Sequence, residues 1–216
     1  MPYACFAVGR RFAYRQAGQT AALTNVGKTL NKYETPYMVN IHKATISEAD
    51  IIVDLARNIY KEYYLHLWHS GGAKWYMEDY AYSLEKIKSE LMDSNNEYFI
   101  ATENGSEQGY MKINLNEQLP GFETLNALEV ERIYLYKKAA GKGLGKQFMQ
   151  TAMNKARELK KDIIFLKAMD SSTDALEFYK KLGYEICGSL QLPLPTFHLM
   201  KEEYRGMVIL KKSVEQ

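Results

Sequence analysis

A strand-like run, Ala127 to Tyr136 (ALEVERIYLY), passes through a glycine-rich turn, Lys137 to Lys146 (KKAAGKGLGK), into an amphipathic helix. That helix carries Leu144, Phe148, Ala152, Ala156 and Leu159 on one apolar face, which must turn toward the core. A strand feeding a helix through glycines is also a device for holding anions. With no Cβ in the way, the amides of Gly141, Gly143 and Gly145 can converge on phosphate oxygens at the positive helix end, with Lys138, Lys142 and Lys146 around them. Two nucleotide motifs fail on spacing. A Walker loop needs glycine where Ala140 stands and Ser or Thr where Gln147 stands, and a dinucleotide fingerprint needs glycine where Lys146 stands.

The remaining pattern alternates strands and helices. Val39 to Thr45 reads as a strand, and Ser47 with Asp50 as a capping box opening a helix through about Tyr60. Residues 60 to 82 hold eight aromatics, Tyr60, Tyr63, Tyr64, Trp68, Trp75, Tyr76, Tyr80 and Tyr82, interrupted by Ser70-Gly71-Gly72. A helix follows from about Ser83 to Met92. Tyr98 to Thr102 and Gly109 to Leu115 flank Asn104-Gly105 and predict a β-hairpin. Asp162 to Met169 is a buried-strand run, Ser171 with Asp174 caps a helix that stops at Gly183, and 184–190 and 206–212 complete the sheet.

Composition narrows the class. With 216 residues, 46% apolar and 25% charged, the chain can bury a full core, which excludes disorder over its whole length. No stretch approaches the ~18 apolar residues that cross a bilayer, and the N-terminus lacks a signal-peptide pattern, so a cytoplasmic location is expected. Residues 1–37 hold five basic residues against Glu34 alone, a net of +4 that leaves −2 for the remainder. This leader has no serine, which weakens a transit-peptide reading. The alternatives are a poorly ordered basic extension or translation from an upstream start, with the domain occupying 38–216. Cys5 and Cys187 cannot make a disulfide framework or a four-cysteine zinc site, and His66 and His69 lack a carboxylate or cysteine at ligand spacing, so no metal is expected. The lysine pairs at 137–138, 160–161, 180–181 and 211–212 read as solvated element ends, and nucleic acid is not expected as a partner.

The run Leu128 to Lys146, followed by Ala175-x-x-Phe178-Tyr179-x-x-x-Gly183-Tyr184, resembles the GNAT superfamily of N-acetyltransferases, in motif order and spacing, over roughly residues 39–212. The aromatic segment from Leu65 and the end MKEEYRGMVILKK are most similar to bacterial polyamine-type acetyltransferases. The resemblance implies an α/β fold with a central mixed, mostly antiparallel sheet flanked by helices. It implies acetyl transfer from acetyl-CoA to a primary amine by direct attack, a polyamine being the specific acceptor. The departures are Ala140, where the family usually has Arg or Gln, and Ser172, where an asparagine is common.

What the resemblance implies residue by residue is a cofactor strand at Ile133, Tyr134 and Leu135, whose backbone pairs with the pantetheine amides. The pyrophosphate would lie on Lys138, Ala140, Gly141, Lys142, Gly143, Leu144, Gly145 and Lys146, with Ser172 and Tyr179 beside it. Tyr179 occupies the position of the general acid, where a phenol with an ordinary pKa of about 10 suits a thiolate leaving group; the same ring also reads as core beside Phe178. Glu129 and Glu131 share one strand face by the period of two, with Arg132 on the other. Glu131 is the expected base, an ion-paired strand carboxylate being the other reading. Trp68, Trp75 and Tyr76 can face a cationic amine, with Glu62, Glu78 and Asp79 as countercharge, or can be core. Acetylation of a protein N-terminus or lysine, a non-catalytic acyl-CoA sensor and a homodimer stay open.

Overall fold

The computed structural model describes residues 39–215. The expected basic extension over residues 1–37, and Cys5 with it, lies outside the described residues. Seven strands form one sheet: β1 (Val39–Lys43), β2 (Asn96–Glu103), β3 (Ser106–Glu117), β4 (Ala127–Leu135), β5 (Ile163–Met169), β6 (Glu185–Gln191) and β7 (Gly206–Ser213). Their order is β1-β2-β3-β4-β5-β7-β6. Only β4 and β5 run parallel, so the sheet is mixed and mostly antiparallel, as the sequence leads one to expect. The helices are α1 (Ala49–Tyr63), α2 (Gly72–Trp75), α3 (Leu84–Met92), α4 (Leu144–Glu158) and α5 (Thr173–Lys181), and α2 runs on into a π-helical turn, Tyr76–Tyr80.

Local chemistry explains the elements. The β2–β3 hairpin turns on Asn104 and Gly105, both at positive φ (50° and 78°), as a two-residue hairpin turn requires. Ser83 caps α3, its hydroxyl accepting from Lys86 N–H at 3.3 Å. Two expected caps fall elsewhere. The box at the start of the first helix is Thr45 with Glu48, closing a 3-10 turn before α1, because the Glu48 carboxylate reaches Thr45 N–H at 2.8 Å. The cap of α5 is Ser172, one residue beyond Ser171, and its side chain makes no capping bond.

Each face of the sheet buries its own core. Leu128, Val130, Ile133 and Leu135 of β4 pack against Leu144, Phe148 and Ala152 of α4 and Ala175 and Tyr179 of α5. On the opposite face, Tyr98, Tyr110 and Tyr134 pack with Ile52, Ala56 and Ile59 of α1 and with the aromatic segment before α3. The parity of β4 changes between Val130 and Ile133. A bulge causes this: Lys112 pairs with Arg132 and Ile113 with Val130, so Glu131 is the extra residue. The expectation that Arg132 points away from Glu131 is therefore corrected, because the bulge interrupts the period of two and brings their charged groups within 3.1 Å.

Beside the bulge, the sheet forks. β4 pairs with β5 only from Ala127–Ile163 to Val130–Leu166, while β4 continues to Leu135 against β3 alone. The far end of β4 is fixed by a close crossing, since a Cβ added at Gly109 would lie 2.2 Å from Tyr134 O and 3.0 Å from Leu135 Cα. Gly109→Ala must push this end of β4 outward. Overpacking of this kind costs about 1–3 kcal/mol, so the melting temperature should fall by roughly 2–12 °C in a calorimetric scan. An unchanged melting temperature would contradict the close approach.

Candidate active site

The glycine turn lies at the end of β4. Lys137–Ala139 make one 3-10 turn, Ala140 is extended, and Gly141 and Gly143 take left-handed φ of 76° and 89°. Nothing lies within 4 Å of a Cβ built on Gly143, so glycine is needed there for its backbone conformation and leaves the concave side open. Gly143 caps α4, and the bond from Gln147 N–H to Gly143 O, 3.1 Å, belongs to its opening turn. The amides of Leu144, Gly145 and Lys146, in the first turn, therefore lack intrahelical acceptors. Open space, first-turn amides and exposed lysines together fit a diphosphate. Lys142 is held by Glu103 at 2.9 Å and 3.1 Å, Lys138 Nζ stands 5.4 Å from the Tyr136 ring, and Glu62 accepts Lys137 N–H at 2.8 Å. Ala140 N–H is spent on Tyr136 O at 3.1 Å, and its methyl group offers an anion nothing.

Tyr179 sits on the same side of the sheet. Its ring is buried with Ile133, Leu135 and Leu144, 5.3 Å from the Phe178 ring and 6.0 Å from that of Tyr184. Ser172 N–H donates to Met169 O at 3.0 Å, which ties the start of α5 to the end of β5. The fold thus brings Ile133, Tyr134 and Leu135, the glycine turn, Ser172 and Tyr179 around the fork.

Across the fork, on the α1–α3 face, lies a buried ionic network. Lys112 Nζ stands 2.6 Å from Glu131 Oε2 and 3.3 Å from Glu90 Oε1. Arg132, only 1% exposed, donates to Glu90 at 3.0 Å and to the Tyr98 hydroxyl at 2.7 Å. Asn114 Nδ2 bridges Glu129 and Glu131 at 2.9 Å and 2.8 Å, and Lys167 donates to Glu129 at 2.7 Å. Three carboxylates meet three buried cations, with the less buried Lys86 a further 3.4 Å partner of Glu90, which is what makes so much charge tolerable in a core. Burial alone would raise the Glu90 pKa, but Arg132, Lys112 and the Tyr98 hydroxyl outweigh it and hold it at about 2. Burial raises that of Glu129, only partly offset by Lys167. Glu131 Oε1 lies 3.1 Å from Arg132 Nη2 without hydrogen-bond alignment, which leaves a buried acceptor open.

Trp68 and Tyr76 are buried, with ring centroids 5.2 Å apart, and Trp75 is half-buried, 6.1 Å from Trp68. Trp68 Nε1–H donates to the Tyr60 hydroxyl at 2.9 Å. Of the acids expected beside them, Glu62 faces the glycine turn and Glu78 lies 3.8 Å from Lys74. Sequence reasoning missed Glu90, Lys112, Asn114 and Lys167. The available signal was Lys112 in GYMKINL and Lys167 in DIIFLKAM, cations inside otherwise apolar strands. Among the described residues, no group of three or more His, Cys, Asp or Glu side chains is arranged to hold a metal, and no helix is long and apolar enough to cross a membrane.

Comparison with known proteins agrees with this architecture. The model of the Acetyltransferase (GNAT) family matches residues 54–184, more than half the chain. An uncharacterized N-acetyltransferase encoded in the pepI 3′ region of Lactobacillus delbrueckii subsp. lactis is 31% identical over 99 residues, 46% of this chain. That match spans 57% of the relative's length. Among solved structures, the PaiA N-acetyltransferase of Thermoplasma acidophilum in complex with coenzyme A superposes with a TM-score of 0.65 at 17% identity, covering 82% of this chain and 99% of that one. YncA of Salmonella typhimurium, solved with its cofactor acetyl-CoA, gives 0.59 at 14% identity, with 82% and 95% covered.

The ionic network predicts an acid limb in stability. The Glu90 pKa is lowered on folding from 4.5 to about 2, so its contribution is present above pH 4.5 and is lost as pH falls toward 2. At pH 7, Glu90→Gln should lower the unfolding free energy by about 3 kcal/mol, and the two proteins should converge near pH 2. Denaturant titrations from pH 7 to pH 2 check this, and a constant difference would contradict it.

Proposed function

The chain belongs to the acetyltransferase (GNAT) family, and on that premise we propose that it transfers the acetyl group of acetyl-CoA to a small primary amine. The observation that carries the reading is the parting of β4 from β5 after Val130, which leaves 131–135 paired on one side only on the way to the glycine turn. A strand edge leaving its neighbour can pair with the amides of an extended ligand, and the helix start at Leu144, within the turn, can hold the attached diphosphate. Residues 38–216 would carry all of these parts.

Acetyl-CoA supplies a thioester carbonyl. The chain's part is to hold it along Ile133–Leu135, with Gly141, Gly143 and the first-turn amides on the diphosphate and Lys138, Lys142 and Lys146 supplying countercharge. Glu131, whose Oε1 makes no hydrogen bond and lies 3.1 Å from Arg132 Nη2, takes a proton from the incoming ammonium directly or through water. A backbone amide near Ile133 steadies the charge that develops on the carbonyl oxygen. The nitrogen–carbon bond forms, the carbon–sulfur bond breaks, and the Tyr179 hydroxyl gives its proton to the departing thiolate. The second amine proton restores Tyr179 and the first passes from Glu131 to solvent, so one ammonium and one thioester yield one amide, one thiol and one proton.

The resemblance implies a polyamine as acceptor; a peptide amine and a non-catalytic acyl-CoA sensor are the alternatives. A thiol-release assay over spermidine, spermine, diamines, monoamines, amino acids and short peptides tests the reading. Turnover with a small amine is expected, whereas acetyl-CoA binding without turnover on any of them would favour the sensor. Tyr179→Phe should lower kcat by about 10²-fold or more while leaving the acetyl-CoA Kd nearly unchanged, and equal turnover would remove the acid role. Gly143→Glu places a carboxylate on a left-handed backbone position at the turn and should abolish acetyl-CoA binding in calorimetry. Retained binding would show that the turn does not hold the diphosphate.

A further inference from the structure

We propose that a cleft at the ends of the β6–β7 loop binds a monocarboxylate with an apolar body, its carboxylate on Arg205 and its chain along Leu192, Pro193 and Leu194. The cleft holds about 410 Å³ and opens to solvent. Residues 191–194, where the chain leaves β6, line it together with Glu202 and Arg205, where the chain enters β7.

Arg205 is a charge without an adequate partner. Its side chain is only 13% exposed, and its Nε is buried and makes no hydrogen bond. Among the described residues its one acidic partner is Glu202, whose Oε2 stands 3.9 Å from Nη2. That separation is beyond hydrogen-bond reach, and the Glu202 side chain is 91% exposed, so water screens most of the attraction. Arg132, by contrast, meets Glu90 at 3.0 Å and the Tyr98 hydroxyl at 2.7 Å. A guanidinium drawn this far from water without a carboxylate against it costs stability, and a ligand that brings one recovers it.

The backbone around the guanidinium is already set. Arg205 N–H donates to Glu202 O at 3.2 Å, and Arg205 O accepts from Leu192 N–H at 2.8 Å. A Cβ on the next residue, Gly206, would collide with the Asp170 carboxylate, so the start of β7 has no room to shift that way. Little ordering then remains to be done on binding.

The same groups select the ligand. The parallel N–H donors of one guanidinium match the two oxygens of a carboxylate. Glu202 beside it repels a second negative charge, which disfavours a dianion. Leu194 is 56% exposed, so an alkyl chain leaving the carboxylate covers apolar surface otherwise left to water.

Hexanoate is the probe, titrated by ligand-observed NMR at low salt without acetyl-CoA, so the outcome does not depend on the acetyl-transfer reading. Saturable binding is expected, at least tenfold tighter than that of 1-hexanol, hexylamine or inorganic phosphate. Arg205→Met keeps the stem and removes the charge. It should weaken hexanoate binding about tenfold or more, as loss of a charged hydrogen bond does, and leave the melting temperature unchanged or raised. Glu202→Gln should tighten hexanoate binding, because the competing carboxylate is gone. Hexanoate binding no tighter than 1-hexanol, equal affinity in Arg205→Met, or a lower melting temperature in that variant would overturn the proposal. The source of the carboxylate is read with 6-aminohexanoate and acetyl-CoA. Acetylation whose KM rises in Arg205→Met makes the carboxylate part of the acceptor, and binding without acetylation makes it a separate acid. Either result keeps the site, while the acetyl-transfer reading stands or falls on the thiol-release assay.

Discussion

At Val130, β4 stops exchanging hydrogen bonds with β5 yet remains buried for five more residues against β3 and the two cores. A buried strand that leaves one neighbour needs its backbone polar groups met in another way, and that requirement links the fold to its chemistry. The bulge at Glu131 sits at the point of parting. By adding one residue to β4 it turns Ile133 and Leu135 toward α4 and α5, and it gathers Glu131 and Arg132 on the opposite face. One backbone irregularity thus sets which side chains face Tyr179 and which face α1 and α3.

The two faces solve different problems. The α4–α5 face is apolar and rigid around Tyr179, and the left-handed glycines hold the helix start open beside it. The α1–α3 face carries a network of three carboxylates and three buried cations, with Lys86 at its rim and the Glu90 carboxyl pKa held at about 2. Removing one member leaves its buried partners uncompensated, so the network is costly to break even if its net contribution to folding is small. Within the network, two buried acceptors, Glu131 Oε1 and Asn114 Oδ1, make no hydrogen bond.

Much of this was legible where the signal is local. Asn104-Gly105 declares its hairpin, the four-residue spacing from Leu144 to Ala156 declares α4, and the glycines between strand and helix declare the turn. The first-helix cap was misread because Ser47–Asp50 and Thr45–Glu48 satisfy the same spacing rule, and only the bond to Thr45 N–H distinguishes them. The bulge has no sequence mark, so period-two reasoning sent Arg132 to the wrong face. Glu90 was hidden for another reason: it reaches Arg132 across 42 positions, from a helix that sequence alone presents as an ordinary amphipathic surface element. The tryptophans were visible as a cluster, but whether such rings wall a site or fill a core depends on the β6–β7 loop that closes over them.

The central claim is that the parted edge of β4 and the glycine turn together receive acetyl-CoA. Amide hydrogen exchange with and without coenzyme A tests it most directly. The account predicts added protection at 131–135 and 141–146, with β1 and β2 unchanged. Binding that protects other segments, or that leaves these two unprotected, would contradict it.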